Sequence, residues 1–167
     1  MRAHKNCKLA EERLMEEKCM EYFIPKKYAI RTYHGIKSKR LVPIIPDIIF
    51  VRANKSQILD FKNKCSILQF VTWKKSTGTE YITVPDEQMD NFIKVVSQYD
   101  EDLVYFNPEE INLKKGTHIM IHGGKFDKVK GTFLKVKGKR NRRIVVLLDG
   151  IIAVAAEVSP DLIEVLS

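Results

Sequence analysis

The sequence predicts an α+β protein built from a mixed helix-and-strand domain followed by a small closed β-barrel. In residues 1–106, helical and strand-like patterns alternate and neighbouring strands are joined by short turns, which favours antiparallel hairpins over a parallel sheet. In residues 114–167, every apolar run is short and glycines separate the runs, as in a small barrel. A length of 167 residues, 44% of them hydrophobic, is sufficient for two small cores.

The first fifty residues predict a helix and then strands. Residues 6–19 place apolar side chains three or four positions apart, the spacing of one helix face. Residues 20–32 alternate apolar and polar side chains around a break at Pro25, which predicts two strand segments. The basic, glycine-containing residues 34–40 predict a hairpin loop, and the apolar run 48–51 predicts a central strand.

The rest of the first domain predicts two helices with a hairpin between them. Asn54 is a suitable cap for a short helix. The β-rich runs 68–73 and 80–84 are joined by a turn, and Pro85 begins a second amphipathic helix. Residues 103–106 predict a last strand, so all these elements belong to one α+β domain.

A linker is predicted at residues 107–113, which contain a proline and show no hydrophobic period. The sequence therefore divides into a domain at 1–106, this linker, and a domain at 114–167. The second domain contains five short β-rich runs, at 119–121, 132–134, 144–148, 151–155 and 162–166.

Charge is distributed unevenly. Residues 1–60 carry 13 basic and 7 acidic side chains (+6), residues 61–112 carry 5 and 9 (−4), and residues 113–167 carry 11 and 5 (+6). A protein that coats nucleic acid uniformly would not have an acidic middle. No apolar run is long enough to span a membrane, and no membrane partner is predicted. Three cysteines without CxxC spacing indicate reduced thiols, so we expect a cytoplasmic protein.

No catalytic, cofactor or metal site is predicted, and we expect that the protein is not an enzyme. His118 and His122 are four residues apart, but the segment between them alternates as a strand, so a helical metal-ligand spacing does not apply. Residues 123–125 (Gly-Gly-Lys) lack the full frame of a phosphate-binding loop. The acidic clusters at 100–102 and 109–110 show no pocket or partner in the sequence, so paired-carboxylate chemistry is not predicted.

Several segments together resemble one known family. Residues 115–133 resemble a KOW motif, a short strand and a glycine-bounded turn leading into a second strand. The proline-flanked residues 43–51 resemble a strand of the NusG N-terminal (NGN) domain. The order of helix, Phe-Ile-Pro, basic hairpin, proline-flanked strand and KOW motif resembles the NusG/RfaH transcription elongation factors. Residues 84–89, 100–103 and 149–155 are most similar to the UpxY-type NusG paralogs found beside surface-polysaccharide operons.

This resemblance implies an NGN-type α/β sandwich, an antiparallel sheet with helices, for residues 1–106 and an SH3-like KOW barrel for 114–167. It also implies that the first domain binds the clamp helices of the RNA polymerase β′ subunit. The candidate contacts are apolar residues around the proline-flanked strand: Tyr22, Phe23, Ile44, Ile45 and Pro46. Burial of both isoleucines in the core is the alternative.

Two sets of cations are candidates for phosphate contacts with upstream DNA or nascent RNA. They are Lys5, Lys8 and Arg13 near the first helix, and Lys37, Lys39 and Arg40 in the hairpin. A solvated charged face is the alternative for both sets. Few aromatic residues lie near these lysines in the sequence, which argues against sequence-specific single-strand recognition. Trp73 is expected in the core as a cross-strand residue.

The KOW turn is the candidate site for a second protein partner, such as a ribosomal protein or a termination factor. Its candidate contacts are Lys125, Phe126 and Lys128, and for Phe126 the alternative is a packed turn residue. The expected function is that of a monomeric elongation factor that binds polymerase and suppresses pausing or termination. The opposite effect, enhanced termination, stays open. A ribosome-associated RNA-binding KOW protein is the alternative from another functional class.

Overall fold

The protein divides into two compact units, Met1–Ile82 and Thr83–Ser167. The computed structural model describes residues 1–76, 78–100, 102–107, 110, 112, 116–135, 141–148 and 150–166. A mixed helix-and-sheet N-terminal region is followed by a C-terminal six-stranded antiparallel sheet. The α+β prediction is therefore confirmed at this level.

The described residues of the N-terminal unit form two α-helices and six strands. They are α1 (Cys7–Glu16), β1 (Glu21–Phe23), β2 (Lys26–Tyr33), β3 (Ile36–Pro43), β4 (Phe50–Arg52), α2 (Lys55–Lys64), β5 (Thr72–Lys75) and β6 (Gly78–Tyr81). Helix α2 begins after Asn54, as predicted, and the Asn54 N–H donates to Gln57 Oε1 at 2.9 Å.

Segments distant in sequence form the central sheet of this unit. Strand β1 pairs antiparallel with β4. On the other side of the β4 segment, Arg2 bridges to Ile48, and Arg2 also bridges to Gln69. The Arg2 N–H donates to the Gln69 carbonyl at 2.8 Å and the Gln69 N–H donates back at 2.9 Å. Residues 1–3 therefore act as an inner strand between two others.

The core of the unit lies on one face of that sheet. Helix α1 contributes Ala10 and Leu14, and helix α2 contributes Phe61. They pack with Ile49 and Leu68, which lie in and beside the paired segments. Because α1 presents its buried residues four positions apart, its other side stays in solvent, and Met15 is exposed.

Two hairpins complete the N-terminal unit. Strands β2 and β3 pair over eight residues each, from Lys26 opposite Pro43 to Tyr33 opposite Ile36. The predicted loop at 34–40 is wrong, because only His34 and Gly35 form the turn. Their φ angles of 47° and 78° suit the tight type I′ turn, which continues the twist of the flanking strands.

The second hairpin pairs β5 with β6. Trp73 stands opposite Glu80 in this pair and is 38% exposed, so its predicted place in the core is wrong. The reason is that β5 and β6 form a sheet of their own within the described residues, with no third strand to bury them.

In the described part of the C-terminal unit there are one α-helix and six strands. They are α3 (Asp86–Val96), β7 (Val104–Phe106), β8 (Thr117–Ile121), β9 (Lys130–Lys135), β10 (Arg142–Leu148), β11 (Ile152–Glu157) and β12 (Ile163–Val165). All its sheet partners are antiparallel, in the spatial order β12-β8-β9-β10-β11-β7.

Helix α3 and strand β7 belong to this C-terminal unit. Helix α3 packs against β10 and β11 and buries Phe92, Val95 and Val96 completely. Strand β7 pairs with β11 at the edge of the sheet. Residues 86–106, which come before the predicted linker at 107–113, make these contacts with the C-terminal sheet. The second compact unit therefore begins at residue 83. Of that linker, residues 108, 109, 111 and 113 lie outside the described residues.

Burial on both faces explains the continuous apolar run of β10. Val145 belongs to one cluster with Ala153 and Ala155 of β11. Ile144 and Val146 alternate with it and are also buried. A strand buried on both faces has no polar alternation, so its sequence is a short apolar run.

Arg143 is buried beside this run, where a charge is costly unless it is paired. One guanidinium nitrogen donates to the Asp102 carbonyl at 2.8 Å and another donates to Glu157 Oε2 at 2.9 Å. The Nε atom is buried without a hydrogen-bond partner. Arg143 thereby ties the segment before β7 to the sheet.

We expect Gly131→Ala to destabilise the C-terminal unit by about 1–3 kcal/mol. A Cβ at Gly131 would lie 2.6 Å from the Val145 carbonyl oxygen, which belongs to the paired strand and cannot move aside. Urea unfolding measures the loss.

Gly35→Ala is the comparison for this change. Nothing lies within 4 Å of a Cβ at Gly35, so the cost there is only that of a positive φ, about 1 kcal/mol. Equal stability of the wild type and Gly131→Ala would contradict the close packing at β9.

Candidate functional site

An aromatic pair marks one face of the central sheet in the N-terminal unit. Phe23 of β1 stands opposite Phe50 of β4, and both are half-buried. Their neighbours Tyr22 and Val51 pack against the core. Because successive strand residues point to opposite faces, the two phenylalanines lie on the face away from that core. We call Phe23 and Phe50 the aromatic face.

The other predicted apolar contacts divide between two environments. Tyr22 packs against the core, which disfavours it as an exposed anchor. Ile44 and Ile45 are half-buried and Pro46 is exposed, so neither isoleucine is a fully buried core residue. The Ile44 N–H donates to the Pro25 carbonyl at 2.8 Å, which fixes the segment after β3 against the start of β2.

The predicted hairpin cations lie on a strand and not in a loop. Lys37, Lys39 and Arg40 are all exposed on β3. Strand alternation puts Lys37 and Lys39 on one face and Arg40 on the other. The Lys39 ammonium lies 4.7 Å from the centroid of the Tyr28 ring, in a cation–π contact across the strand pair. Aromatic and cationic side chains are thus closer in space than in the sequence.

The cations near α1 are spread over its start and its exposed side. Lys5 and Lys8 are exposed, and the Lys5 N–H donates to Asp47 Oδ1 at 2.9 Å. Arg13 forms an exposed ion pair with Glu16 at 3.4 Å. The Glu16 carboxylate partly neutralises the positive charge of Arg13, which is one of the candidate phosphate contacts.

In the C-terminal unit, the turn between β8 and β9 is held by polar groups of α3 and the segment after it. Lys130 forms an ion pair with Glu87 at 2.7 Å, and its N–H donates to Asn91 Oδ1 at 3.1 Å. Lys125 forms an ion pair with Asp100. The Lys94 ammonium donates to the Asp127 carbonyl at 3.3 Å.

These contacts change how the predicted turn residues are presented. Phe126 is only 4% exposed, which favours the packed-turn alternative over a partner contact. Lys125 is exposed but already paired with Asp100, and its ammonium lies 5.1 Å from the Phe126 ring centroid. Lys128 is exposed and has a φ of 61°, and its N–H donates to the Ile121 carbonyl.

Two pKa values in this unit are shifted, that of Asp100 by hydrogen bonds and that of Tyr105 mainly by burial. A hydrogen bond from Lys125, and a second from the Asp102 N–H, hold the pKa of Asp100 below its usual range. Burial raises the pKa of Tyr105 on β7 to about 12, with a smaller effect of Asp100. Both shifts leave Asp100 charged and Tyr105 neutral at pH 7.

Metal binding and membrane insertion need features of other kinds. Among the residues that the structure describes, no three histidine, cysteine or acidic side chains are grouped closely enough to hold a metal ion. No helix in this part of the chain has both the length and the apolar composition that a membrane span requires.

Comparison with known proteins identifies the fold of the N-terminal region. The family model described as transcription termination factor NusG matches residues 2–93, more than half of the chain. The chain belongs to the NusG family. A search of curated proteins found no match. The match covers the whole N-terminal unit and continues into α3, which packs in the C-terminal unit.

Membership of the NusG family supports a general role in transcription elongation or termination, and proteins of this family bind RNA polymerase. The family consists of transcription factors that are not enzymes. The NusG-matched region contains both the aromatic face and the β2–β3 hairpin, which we call the basic hairpin because it carries Lys37, Lys39 and Arg40.

Sequence reasoning missed Phe50 as part of the NusG-matched aromatic face. The apolar run 48–51 predicts a central strand, and in such a strand Phe50 and both of its neighbours are expected in the core. The signal that identifies it is the register of β1 and β4, in which Phe23 and Phe50 stand directly opposite each other. Register is not visible in a single strand's sequence.

We expect Asp100→Asn to destabilise this NusG-family protein at pH 7 by about 1 kcal/mol, since Lys125 and the Asp102 N–H stabilise the charged carboxylate and Lys125 is half-exposed. A carboxyl group with a lowered folded-state pKa contributes stability above its unfolded pKa. That contribution disappears as the pH falls through the folded pKa. The difference between wild type and variant should therefore shrink between pH 5 and pH 3.

Urea midpoints at pH 7, 5 and 3 measure this effect. Asp90→Asn is a matched control, because Asp90 is an exposed carboxylate on α3. A wild-type advantage over Asp100→Asn that stays constant with pH would contradict the assigned role of the carboxylate.

Proposed function

We propose that this chain is a NusG-type elongation factor that binds the β′ clamp helices of RNA polymerase and suppresses pausing or termination. The proposal includes assignment to the UpxY type and action at a surface-polysaccharide operon, which rest on the resemblance of residues 84–89, 100–103 and 149–155. The observation that carries it is the NusG match over the unit that presents the aromatic face.

The polymerase contact is proposed to be apolar. Phe23 and Phe50 offer two half-buried rings side by side, and half-exposed Ile44 and Ile45 lie in the segment after β3. Aromatic side chains on a preformed surface lose little conformational entropy when they bind, and such side chains dominate many interfaces. A helical coiled coil with apolar side chains is a suitable partner for this surface.

The basic hairpin is proposed to hold nucleic acid next to the polymerase. Lys37, Lys39 and Arg40 would contact phosphates of upstream DNA or nascent RNA, with Lys5, Lys8 and Arg13 as a second set. Binding across the clamp would stabilise the closed, elongating state relative to the open, paused state. This is a shift between conformations that already exist and involves no covalent chemistry.

The C-terminal unit is proposed to be a KOW domain with an SH3-like barrel that recruits a second factor. Lys128 is exposed on the turn between β8 and β9, Lys125 is exposed but paired with Asp100, and Phe126 supports the turn from inside. A ribosomal protein or a termination factor is the proposed kind of partner. In this arrangement the N-terminal unit binds the polymerase and the C-terminal unit recruits the second factor.

We expect the double variant Phe23→Ala/Phe50→Ala to weaken polymerase binding about 30-fold or more, equivalent to about 2 kcal/mol. Truncation removes both rings from the proposed interface and leaves the core-facing Tyr22 and Val51 in place. Binding of the full-length protein to purified core polymerase, measured by biolayer interferometry, tests this.

Phe70→Ala is the matched control, because Phe70 is also a half-buried phenylalanine of the N-terminal unit and stacks on Tyr81 outside the aromatic face. It should retain wild-type affinity. The proposal fails if a folded double variant binds polymerase as tightly as the wild type, or if the protein co-sediments with ribosomal subunits and not with polymerase.

Replacing Lys37, Lys39 and Arg40 together with Gln should leave polymerase affinity within about threefold of the wild-type value. It should reduce the antipausing effect, because phosphate contacts act after docking. Pause half-lives in a purified transcription assay provide the measurement. The control replaces three lysines on α2, Lys55, Lys62 and Lys64, and changes the net charge equally. Wild-type pause half-lives with the hairpin variant would contradict a role for the hairpin, and so would an equal change in the control.

A further inference from the structure

The basic hairpin joins the rest of the N-terminal unit at a narrow root. Within the described part of the chain, β2 and β3 pair only with each other. The chain enters the hairpin through Ile24 and Pro25, which are both buried, and leaves it through Pro43. The Ile44 N–H donates to the Pro25 carbonyl at 2.8 Å, so the entering and leaving segments are hydrogen-bonded to each other. We call Pro25, Lys26, Pro43 and Ile44 the hairpin root.

An ion pair connects this root to helix α1. The Lys26 ammonium lies 3.0 Å from one carboxylate oxygen of Glu11 and 3.4 Å from the other. These side chains are 30% and 29% exposed, whereas those of the Arg13–Glu16 pair on the same helix are 58% and 69% exposed. Salt and water screen a half-buried pair less than an exposed one. Glu11 also follows the buried Ala10, so the carboxylate is carried by a helix that the core holds in place.

The backbone of the root allows little local bending. Each proline ring fixes its own φ and restricts the residue before it, and the root has one proline on each strand. The hydrogen bond between Ile44 and Pro25 joins the two strands but does not attach them to a helix. The motion that remains is a tilt of the whole hairpin about its root. The Glu11–Lys26 ion pair lies at the place where it opposes this tilt.

A small tilt at the root becomes a large displacement at the turn. Strands β2 and β3 have 8 residues each, and a strand rises about 3.3 Å per residue, so the basic hairpin is about 26 Å long. A tilt of about 10° would move the turn by about 5 Å over that length. An ion pair requires its two charged atoms to lie within about 4 Å. The direction of the hairpin therefore decides which target its cations reach.

The root also links the basic hairpin to the aromatic face. Only Ile24 and Pro25 separate Phe23 of that face from Lys26. Ile24 is buried in the same core cluster as the residues that α1 contributes. The aromatic face, helix α1 and the hairpin root are thus supported by one core, and the ion pair completes the connection.

We propose that Glu11 and Lys26 are positioning residues that set the direction of the basic hairpin relative to the aromatic face. This deepens the proposed function and rests on it for its consequence, because a polymerase bound at the aromatic face would find the hairpin cations at one fixed place. The role requires no contact of Glu11 or Lys26 with polymerase or nucleic acid. Loss of the ion pair should leave docking intact and reduce the antipausing effect.

The direction of the hairpin can be measured on the full-length protein alone. Spin labels carried by para-acetylphenylalanine at Thr32 on β2 and Ser56 on α2, which are both exposed, leave the native cysteines unchanged. Pulsed electron–electron double resonance then gives the distribution of distances between the two labels. We expect Glu11→Gln to roughly double the width of this distribution or to shift its maximum by about 5 Å, as a tilt of about 10° would.

Variants of both partners distinguish the ion pair from effects of either residue alone. Lys26→Gln should change the distribution as Glu11→Gln does, and it provides the same measurement if Glu11→Gln does not fold. Glu11→Gln/Lys26→Gln should change it no further, because the second substitution removes a bond that is already lost. The reversed pair Glu11→Lys/Lys26→Glu should restore the wild-type distribution. Circular dichroism and thermal unfolding establish which variants are folded.

Glu16→Gln is the matched control. It removes a carboxylate from the same helix and changes the net charge equally, but its partner Arg13 lies outside the hairpin. It should keep the wild-type distances. A wild-type distribution in Glu11→Gln, an equal change in Glu16→Gln, or no recovery in the reversed pair would overturn the proposal.

Two functional measurements separate positioning from docking. Glu11→Gln should bind purified core polymerase within about threefold of the wild-type affinity, because the aromatic face is unchanged. Its antipausing effect should fall, and the reversed pair should recover it. Wild-type pause half-lives with Glu11→Gln would show that the direction of the hairpin has no role in antipausing and would overturn that part of the proposal.

The distance measurement is independent of the polymerase contact, because it is made without polymerase. A wider distribution in a Glu11→Gln protein whose wild type does not bind polymerase would refute the proposed function and support the positioning role of the ion pair. Polymerase binding by the wild type, with unchanged distances in Glu11→Gln, would do the reverse.

Discussion

The pairing of residues 1–3 with both Ile48 and Gln69 is the constraint on which the N-terminal unit depends. These three segments are far apart in the sequence, and the backbone hydrogen bonds that join them lie between 2.8 and 2.9 Å. The pairing fixes β4 next to an inner strand and leaves its other side for β1. Once that order is fixed, the pleat decides which side chains meet the helices and which face away.

The helices cover one side of the central sheet and leave the aromatic face on the other. Helices α1 and α2 bury Ala10, Leu14 and Phe61 against one face of the sheet. Phe23 and Phe50 lie half-buried on the opposite face. The β2–β3 hairpin extends from the same unit with its cations on both faces, where burial would be prohibitively costly.

The C-terminal unit is organised by different contacts. The continuous apolar run of β10 needs cover on two sides, and α3 supplies one of them. Ion pairs from Glu87 to Lys130 and from Asp100 to Lys125 fix the β8–β9 turn to α3 and the segment after it. Exposed ion pairs of this kind contribute little stability singly. Their effect is to hold Lys125 and Lys130 in ion pairs at either end of this turn.

The sequence by itself determined the elements whose signals are local: α3 and its apolar spacing, the cap at Asn54, the strands of the C-terminal sheet and the family resemblance that the NusG match bears out. Tertiary structure alone decided the rest. The pairing of Phe23 with Phe50, the cation–π contact of Lys39 with Tyr28 and the burial of Phe126 all depend on register and on which elements meet. The same holds for α3 and β7. Their place in the sequence puts them in the predicted domain at 1–106, but α3 packs on β10 and β11, and β7 pairs with β11. Local periodicity specifies that a face is apolar, but the partner that covers it is chosen by long-range burial and hydrogen bonding, which no short stretch of sequence encodes.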